Sequence, residues 1–158
     1  MIPLFNIPKP NINLEGVDHI LHSEIVTEFE KEFAEFVGAK YAVGVCSCTM
    51  AIYLTMVYLK NHMGEAEIST MTPPVVANAL IHSGIKWHFT DSPDWVGGPY
   101  HLYGDSYNWI VVDSAQAVWK DQCEFSPGNV FLYSFYPTKP VGGIDGGMIV
   151  SNNEDFIG

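Results

Sequence analysis

Lys139 lies in the segment Ser134-Phe135-Tyr136-Pro137-Thr138-Lys139-Pro140, directly after a strongly apolar run, in a loop rich in proline and glycine. A lysine set at the end of a rigid strand and partly desolvated has a lowered pKa, the condition imine chemistry requires. The same position also suits a solvated loop lysine, as most lysines are. Asp113 ends the run Trp109-Ile110-Val111-Val112-Asp113, and carboxyl ends of strands are where open α/β sheets bind ligands. An aspartate there could pair with a cation such as a protonated pyridine nitrogen, or it could cap the following turn. Cys46-Ser47-Cys48-Thr49-Met50 joins a short apolar run to a longer one. A helix starting here would offer free N–H groups and a partial positive charge to a phosphate, with the Thr49 hydroxyl as a further donor. A plain helix cap accounts for the same residues.

Other candidates carry less. Cys46 and Cys48 are one residue apart and lack a second cysteine pair, so they read as buried thiols rather than a zinc site. The six histidines show no metal-ligand spacing; His101 alone lies near the expected strand ends, and it reads as structural. The run from Gly142 to Gly147 precedes a strand instead of opening a helix, which favours a tight turn, with room for a ligand as the lesser option.

Positioning these residues requires a sheet. Apolar residues Ile25, Val26, Phe29, Phe33, Phe36 and Val37 share one face of a helix over 24–37, with Ser23 as cap and Gly38 as stop. A short strand (41–45) precedes a helix over 49–61 that is apolar nearly all round and hence buried. Then follow a strand over 67–71, a helix over 75–82 opened by Pro73 and Pro74 and ended by Gly84, and a strand over 85–90. Such alternation predicts an α/β fold: a three-layer, mostly parallel sheet covered on both faces. After Asp91 the rhythm breaks. Strands over 100–103 and 109–113 are separated by about five residues, too few for a parallel crossover, so they are not directly joined parallel neighbours. Strands over 129–135 and 147–151 complete the set. Residues 1–22, interrupted by Pro3, Pro8 and Pro10, form an irregular N-terminal arm.

The 158 residues fit a single domain over 1–158. With 47% hydrophobic and 16% charged residues the chain is too apolar for disorder. All seven basic residues are lysine, against 18 acidic ones. That balance argues against nucleic-acid binding, which needs a basic stripe. No apolar run is long enough to span a membrane, and the N-terminus lacks a signal-peptide pattern. Three cysteines make no disulfide framework. A cytoplasmic location is expected.

In this order, KYAVGVCSCTMAI, VDSAQA, SFYPTK and GGIDGGMIVSN, with FEKEFAEFVGAKYAV and HLYG, resemble the DegT/DnrJ/EryC1/StrS family of sugar aminotransferases. The resemblance implies the large domain of the type I fold of transferases dependent on pyridoxal 5'-phosphate (PLP), without the small C-terminal domain and with shortened crossovers around HLYG. It implies that Lys139 forms the internal aldimine (Schiff base) with PLP, and that Asp113 pairs with the pyridinium nitrogen. Gln116 would sit beside the ring and its 3-oxygen. Ser134, Thr49 and the backbone of Cys48 and Met50 would hold the phosphate. Pro73 stands where the family often stacks an aromatic ring, and Cys48 where it usually has glycine. Dehydratases of the family carry histidine in place of the lysine, so Lys139 favours amino transfer. The implied reaction moves an amino group from an amino donor to a keto group of a nucleotide-linked sugar, in a homodimer. Two alternatives stand beside it: an impaired remnant that binds PLP or a nucleotide-sugar, and a partial subunit completed by a partner chain.

Overall fold

The computed structural model describes residues 23–62, 64–91, 98–105, 109–126 and 128–158, with isolated positions 13, 15, 17 and 19. Nearly all of the expected N-terminal arm, and most of the stretch 91–99, therefore lie outside the described residues.

Helix α1 (Glu24–Val37) buries Phe33, Ala34 and Val37, and Gly38 ends it at φ 75°, a left-handed conformation that glycine adopts without Cβ strain. Ser23 occupies the cap position, yet its hydroxyl makes no cap hydrogen bond; it is buried, and its carbonyl accepts the Val26 N–H at 3.0 Å. Strand β1 (Tyr41–Val45) leads into helix α2 (Cys48–Leu59), which starts one residue earlier than the apolar pattern indicates because Ser47 caps it. Strand β2 (Glu65–Ser69) lies two residues earlier than the pattern suggests. Helix α3 (Pro74–Ser83) and strand β3 (Trp87–Thr90) follow. Strands β4 (Tyr100–Gly104) and β5 (Ile110–Asp113), the short α4 (Gln122–Phe125), β6 (Val130–Ser134), β7 (Gly147–Ser151) and the short α5 (Glu154–Ile157) complete the chain.

The seven strands form one sheet in the order β1-β7-β6-β5-β4-β2-β3. Pairings β2–β3 and β5–β6 are parallel, and β1–β7, β7–β6, β5–β4 and β4–β2 antiparallel. Followed across the sheet, these relations give β1, β2, β3, β5 and β6 one direction and only β4 and β7 the other. Strand direction is thus mostly parallel. β4 and β5 are antiparallel neighbours, as their short connection requires, with Tyr100 opposite Asp113 and a bulge between His101 and Tyr103. The bulge explains why consecutive residues Leu102 and Tyr103 are both buried.

Two apolar cores flank the sheet. One packs α2 and α3 on it through Ile52, Met56, Leu80 and Ile68; the other sets Phe33 and Val37 of α1 against Phe131, Tyr133 and Val150. The second helical layer reaches only part of its face. On β2, β3 and β4, Glu65, Glu67, His88 and His101 stay exposed there, with His88 Nδ1 3.2 Å from Glu65. No described helix lies over these strands, and their outward positions are polar accordingly.

Candidate active site

Because five strands share a direction, their carboxyl ends define one edge of the sheet, and the sequence places chemistry at four of them. Cys48 and Thr49 follow β1, Pro73 follows β2, Asp113 ends β5 and Ser134 ends β6. The antiparallel β4 and β7 bring their amino ends, Tyr100 and Gly147, to the same edge.

A cavity of about 380 Å³ opens there, lined by Cys48, Thr49, Pro73, Asp113, Gln116, Ser134 and Lys139 among others. Seven of the eight residues singled out in the sequence therefore meet in one place. Met50 does not line it. Its N–H donates to the capping Ser47 Oγ at 3.2 Å and its side chain is exposed, so its amide is already committed. The amides of Cys48 and Thr49, at the head of α2, have no carbonyl before them in the helix to bond.

Asp113 is 4% exposed. Its Oδ1 accepts the Ala115 N–H at 2.9 Å and its Oδ2 the Tyr100 hydroxyl at 2.8 Å. Burial raises its pKa above the ordinary carboxylate value, opposed by the Ala115 amide, the Tyr100 hydroxyl and the Lys139 charge. The Cys48 thiol is pushed well up, first by burial and then by Asp113, while Lys139 pulls it down. Lys139 is half-buried, in a turn closed by its N–H on the Tyr136 carbonyl at 2.9 Å. Its charge is felt at both Asp113 and Cys48.

The floor is fixed from beneath. The Ser114 N–H donates to the Leu132 carbonyl at 2.8 Å, and buried Gln122 donates to Ser114 Oγ at 3.1 Å while accepting the Tyr133 hydroxyl at 3.2 Å. Asp113 and Ser134 thus end strands locked side by side. Gly147 permits a close approach of β7 to the head of α2: a Cβ there would lie 2.5 Å from the Cys48 nitrogen.

Tyr100 is the residue the sequence reading missed, whereas Gly147 belongs to the glycine run already singled out as a turn with room for a ligand. A hairpin between β4 and β5, implied by their short linker, would have set Tyr100 opposite Asp113. Of the supposed buried thiols, Cys48 is buried but Cys46 is exposed, since it lies where the chain leaves β1. His101 points away from the cavity onto the open face of the sheet. Among the described residues no group of three or more His, Cys, Asp or Glu could hold a metal ion, and no helix is long and apolar enough to cross a membrane.

The family model described as the DegT/DnrJ/EryC1/StrS aminotransferase family matches residues 13–95 and 104–157. The chain belongs to this family. The spore coat polysaccharide biosynthesis protein SpsC of Bacillus subtilis (strain 168) is 31% identical over 166 residues, covering 83% of this chain and 43% of that protein. The UDP-4-amino-4,6-dideoxy-N-acetyl-beta-L-altrosamine transaminase of Campylobacter jejuni is 26% identical, covering 93% and 51%. Among solved structures, a GDP-4-keto-6-deoxymannose-3-dehydratase with a trapped PLP-glutamate geminal diamine superposes with a TM-score of 0.71 at 18% identity, over 98% of this chain and 52% of that one. The fold is therefore that of the PLP-dependent aminotransferases. The chain spans about half the length of the relatives it matches.

Proposed function

We propose that this family member binds PLP in the cavity at the carboxyl edge of the sheet. We propose further that it takes part in moving an amino group from an amino donor to a keto group of a nucleotide-linked sugar. The observation that carries the reading is the meeting of Lys139 with a fully buried Asp113 in one cavity, beside Ser134 and the first turn of α2.

The residues suit the cofactor. An ionised carboxylate has about four acceptor sites, and Asp113 uses two, so a protonated ring nitrogen could still be received. The head of α2, with the hydroxyls of Thr49 and Ser134, suits a phosphate. Cys48 stands close to that position, and with its pKa raised it is a neutral thiol that adds no repelling charge. Pro73 and Gln116, which line the cavity, would offer the bound ring an apolar contact and a side-chain amide. Bound there, PLP supplies the electron sink that amino transfer requires. Lys139 would attach the cofactor and, when released, accept and return a proton at Nζ. Asp113 would hold the ring nitrogen charged.

The reading includes a homodimer. Ile25, Val26, Phe29 and Phe36 of α1, Met50, Leu54 and Tyr58 of α2, and Val75, Tyr136 and Ile144 near the cavity are all exposed. Apolar surface of that extent favours burial against a partner.

Addition of PLP to the purified protein, followed by borohydride reduction and peptide mapping, tests the reading. The expected result is a visible absorption band and a cofactor fixed to Lys139, both lost in Lys139→Ala. No band at saturating PLP, or a band unaltered in Lys139→Ala, would overturn it.

A further inference from the structure

We propose that Tyr100 is a positioning residue of this site, which holds the Asp113 carboxylate charged and aimed into the cavity. The inference rests on the cofactor reading for the use made of that charge. Tyr100 lies in the gap between the two segments that the family model matches.

The placement follows from topology. Tyr100 opens β4, which runs against β5, and the register sets it directly opposite Asp113. Directly opposed residues of an antiparallel pair project from the same face, so both side chains enter the α2–α3 side of the sheet, where the cavity lies. A one-residue slip would turn Tyr100 to the open polar face. The hairpin end opposes such a slip: the Asp105 N–H donates to the Trp109 carbonyl at 3.0 Å and Asp105 Oδ1 accepts the Trp109 N–H at 3.2 Å.

Among the described residues, the titratable groups that bear on Asp113 are Tyr100 from β4, Cys48 from α2 and Lys139 from the loop after β6, and Tyr136 and Asp145 of that same loop line the cavity with them. Burial and the raised pKa of Tyr100 keep its phenol protonated, so it acts only as a donor to the carboxylate. A buried carboxylate stays ionised only if donors replace its lost water. Among the described residues, Tyr100 and the Ala115 amide are the hydrogen-bond donors to it, one on each oxygen. Without the phenol, Asp113 takes up a proton at higher pH and ceases to match a protonated ring nitrogen.

Tyr100→Phe keeps the packed ring and removes the donor. Pyridoxamine phosphate affinity, measured by calorimetry across pH, is expected to fall in the variant by about tenfold or more on the acidic side and to converge on the unmodified protein toward alkaline pH. The 13C carboxyl signal of Asp113 in the ligand-free protein should titrate at higher pH in the variant. Tyr100→Gln against Tyr100→Leu repeats the comparison with two side chains of similar size, of which only glutamine donates, should phenylalanine compromise folding. Superimposable Asp113 titrations, or an affinity loss equal at every pH, would overturn the role of Tyr100. Failure of the unmodified protein to bind pyridoxamine phosphate or PLP would instead overturn the cofactor reading, and with it the proposal.

Discussion

Replacing Gly147 by alanine would drive a methyl group into the backbone at the head of helix α2. The added Cβ would lie 2.5 Å from the Cys48 nitrogen, 2.6 Å from the Ser47 carbonyl carbon and 2.8 Å from its oxygen, where ordinary contact begins at 3.4 Å. Gly147 does not adopt a left-handed conformation, so the clash alone opposes the substitution. Relief requires a retreat of about 1 Å, in a residue paired on both sides, to Val45 and to Ser134. Overpacking of this kind costs about 1–3 kcal/mol. At about 2–4 °C per kcal/mol for a chain of this size, the melting temperature should fall by about 2–12 °C. Since pairing on both sides holds β7 in place, the head of α2 gives way, and with it the Cys48 and Thr49 amides proposed to hold a phosphate, so PLP affinity should drop more than stability does. Thermal denaturation followed by circular dichroism, together with PLP titration at a temperature where the variant is folded, reads both quantities. In a relaxed site the same exchange stabilises by about 0.4–1 kcal/mol through the unfolded chain. A variant as stable as the parent, with unchanged PLP affinity, would refute the clamp between β7 and α2.

Three further perturbations follow from the same geometry. Asp113→Asn should abolish PLP binding yet equal or exceed the parent in urea stability at neutral pH. The folded-state pKa of Asp113 is raised, chiefly by burial, so its contribution to stability is complete below the ordinary carboxylate value and is lost as pH rises through the folded value. The variant's relative gain should therefore vanish in acid; a gain independent of pH, or a clear loss at neutral pH, would contradict this. Tyr133→Phe leaves the buried Gln122 amide oxygen without the hydroxyl that bonds it at 3.2 Å, and should cost about 1–3 kcal/mol in denaturant titration. Cys48 should resist alkylation in the folded protein while exposed Cys46 is labelled, because burial holds its thiol neutral and covered.

The sequence marked the parts of this fold whose signals are local. The run Ile110–Asp113, the apolar α2 and the glycine stops after α1 and α3 each act within a few residues, and each appears close to where it was expected. Ser23 shows where locality misleads: a serine at a helix start is a cap only if its side chain stays by the helix, and here it is buried away from the first amides. Pairing depends on partners far along the chain. Nothing in Tyr100-His101-Leu102-Tyr103 states which strands lie beside it, although the short link to Trp109 already forbids the parallel arrangement. Met50 was carried along with its neighbours into the phosphate cradle, but a capping serine three residues before an amide takes that amide first.

Direction, more than any single residue, accounts for the site. In a sheet of strictly parallel strands only carboxyl ends reach the ligand edge, and each contributes the residue that follows its strand. The two reversed strands bring amino ends there instead, and these contribute what a carboxyl end does not supply at this edge. β7 enters with a glycine, whose lack of a side chain lets the head of α2 sit against the strand. β4 enters with a tyrosine, whose long side chain reaches the neighbouring strand's carboxylate, served otherwise, among the described residues, by a single amide. Restoring a parallel β4 by lengthening its link to β5 would remove Tyr100 from Asp113 even with every cavity residue retained. A version of the protein with such an inserted crossover should therefore keep the fold and show the same pH-dependent weakening of pyridoxamine phosphate binding as Tyr100→Phe. Binding that remains at the parent level throughout would mean that the reversed strand serves the sheet alone.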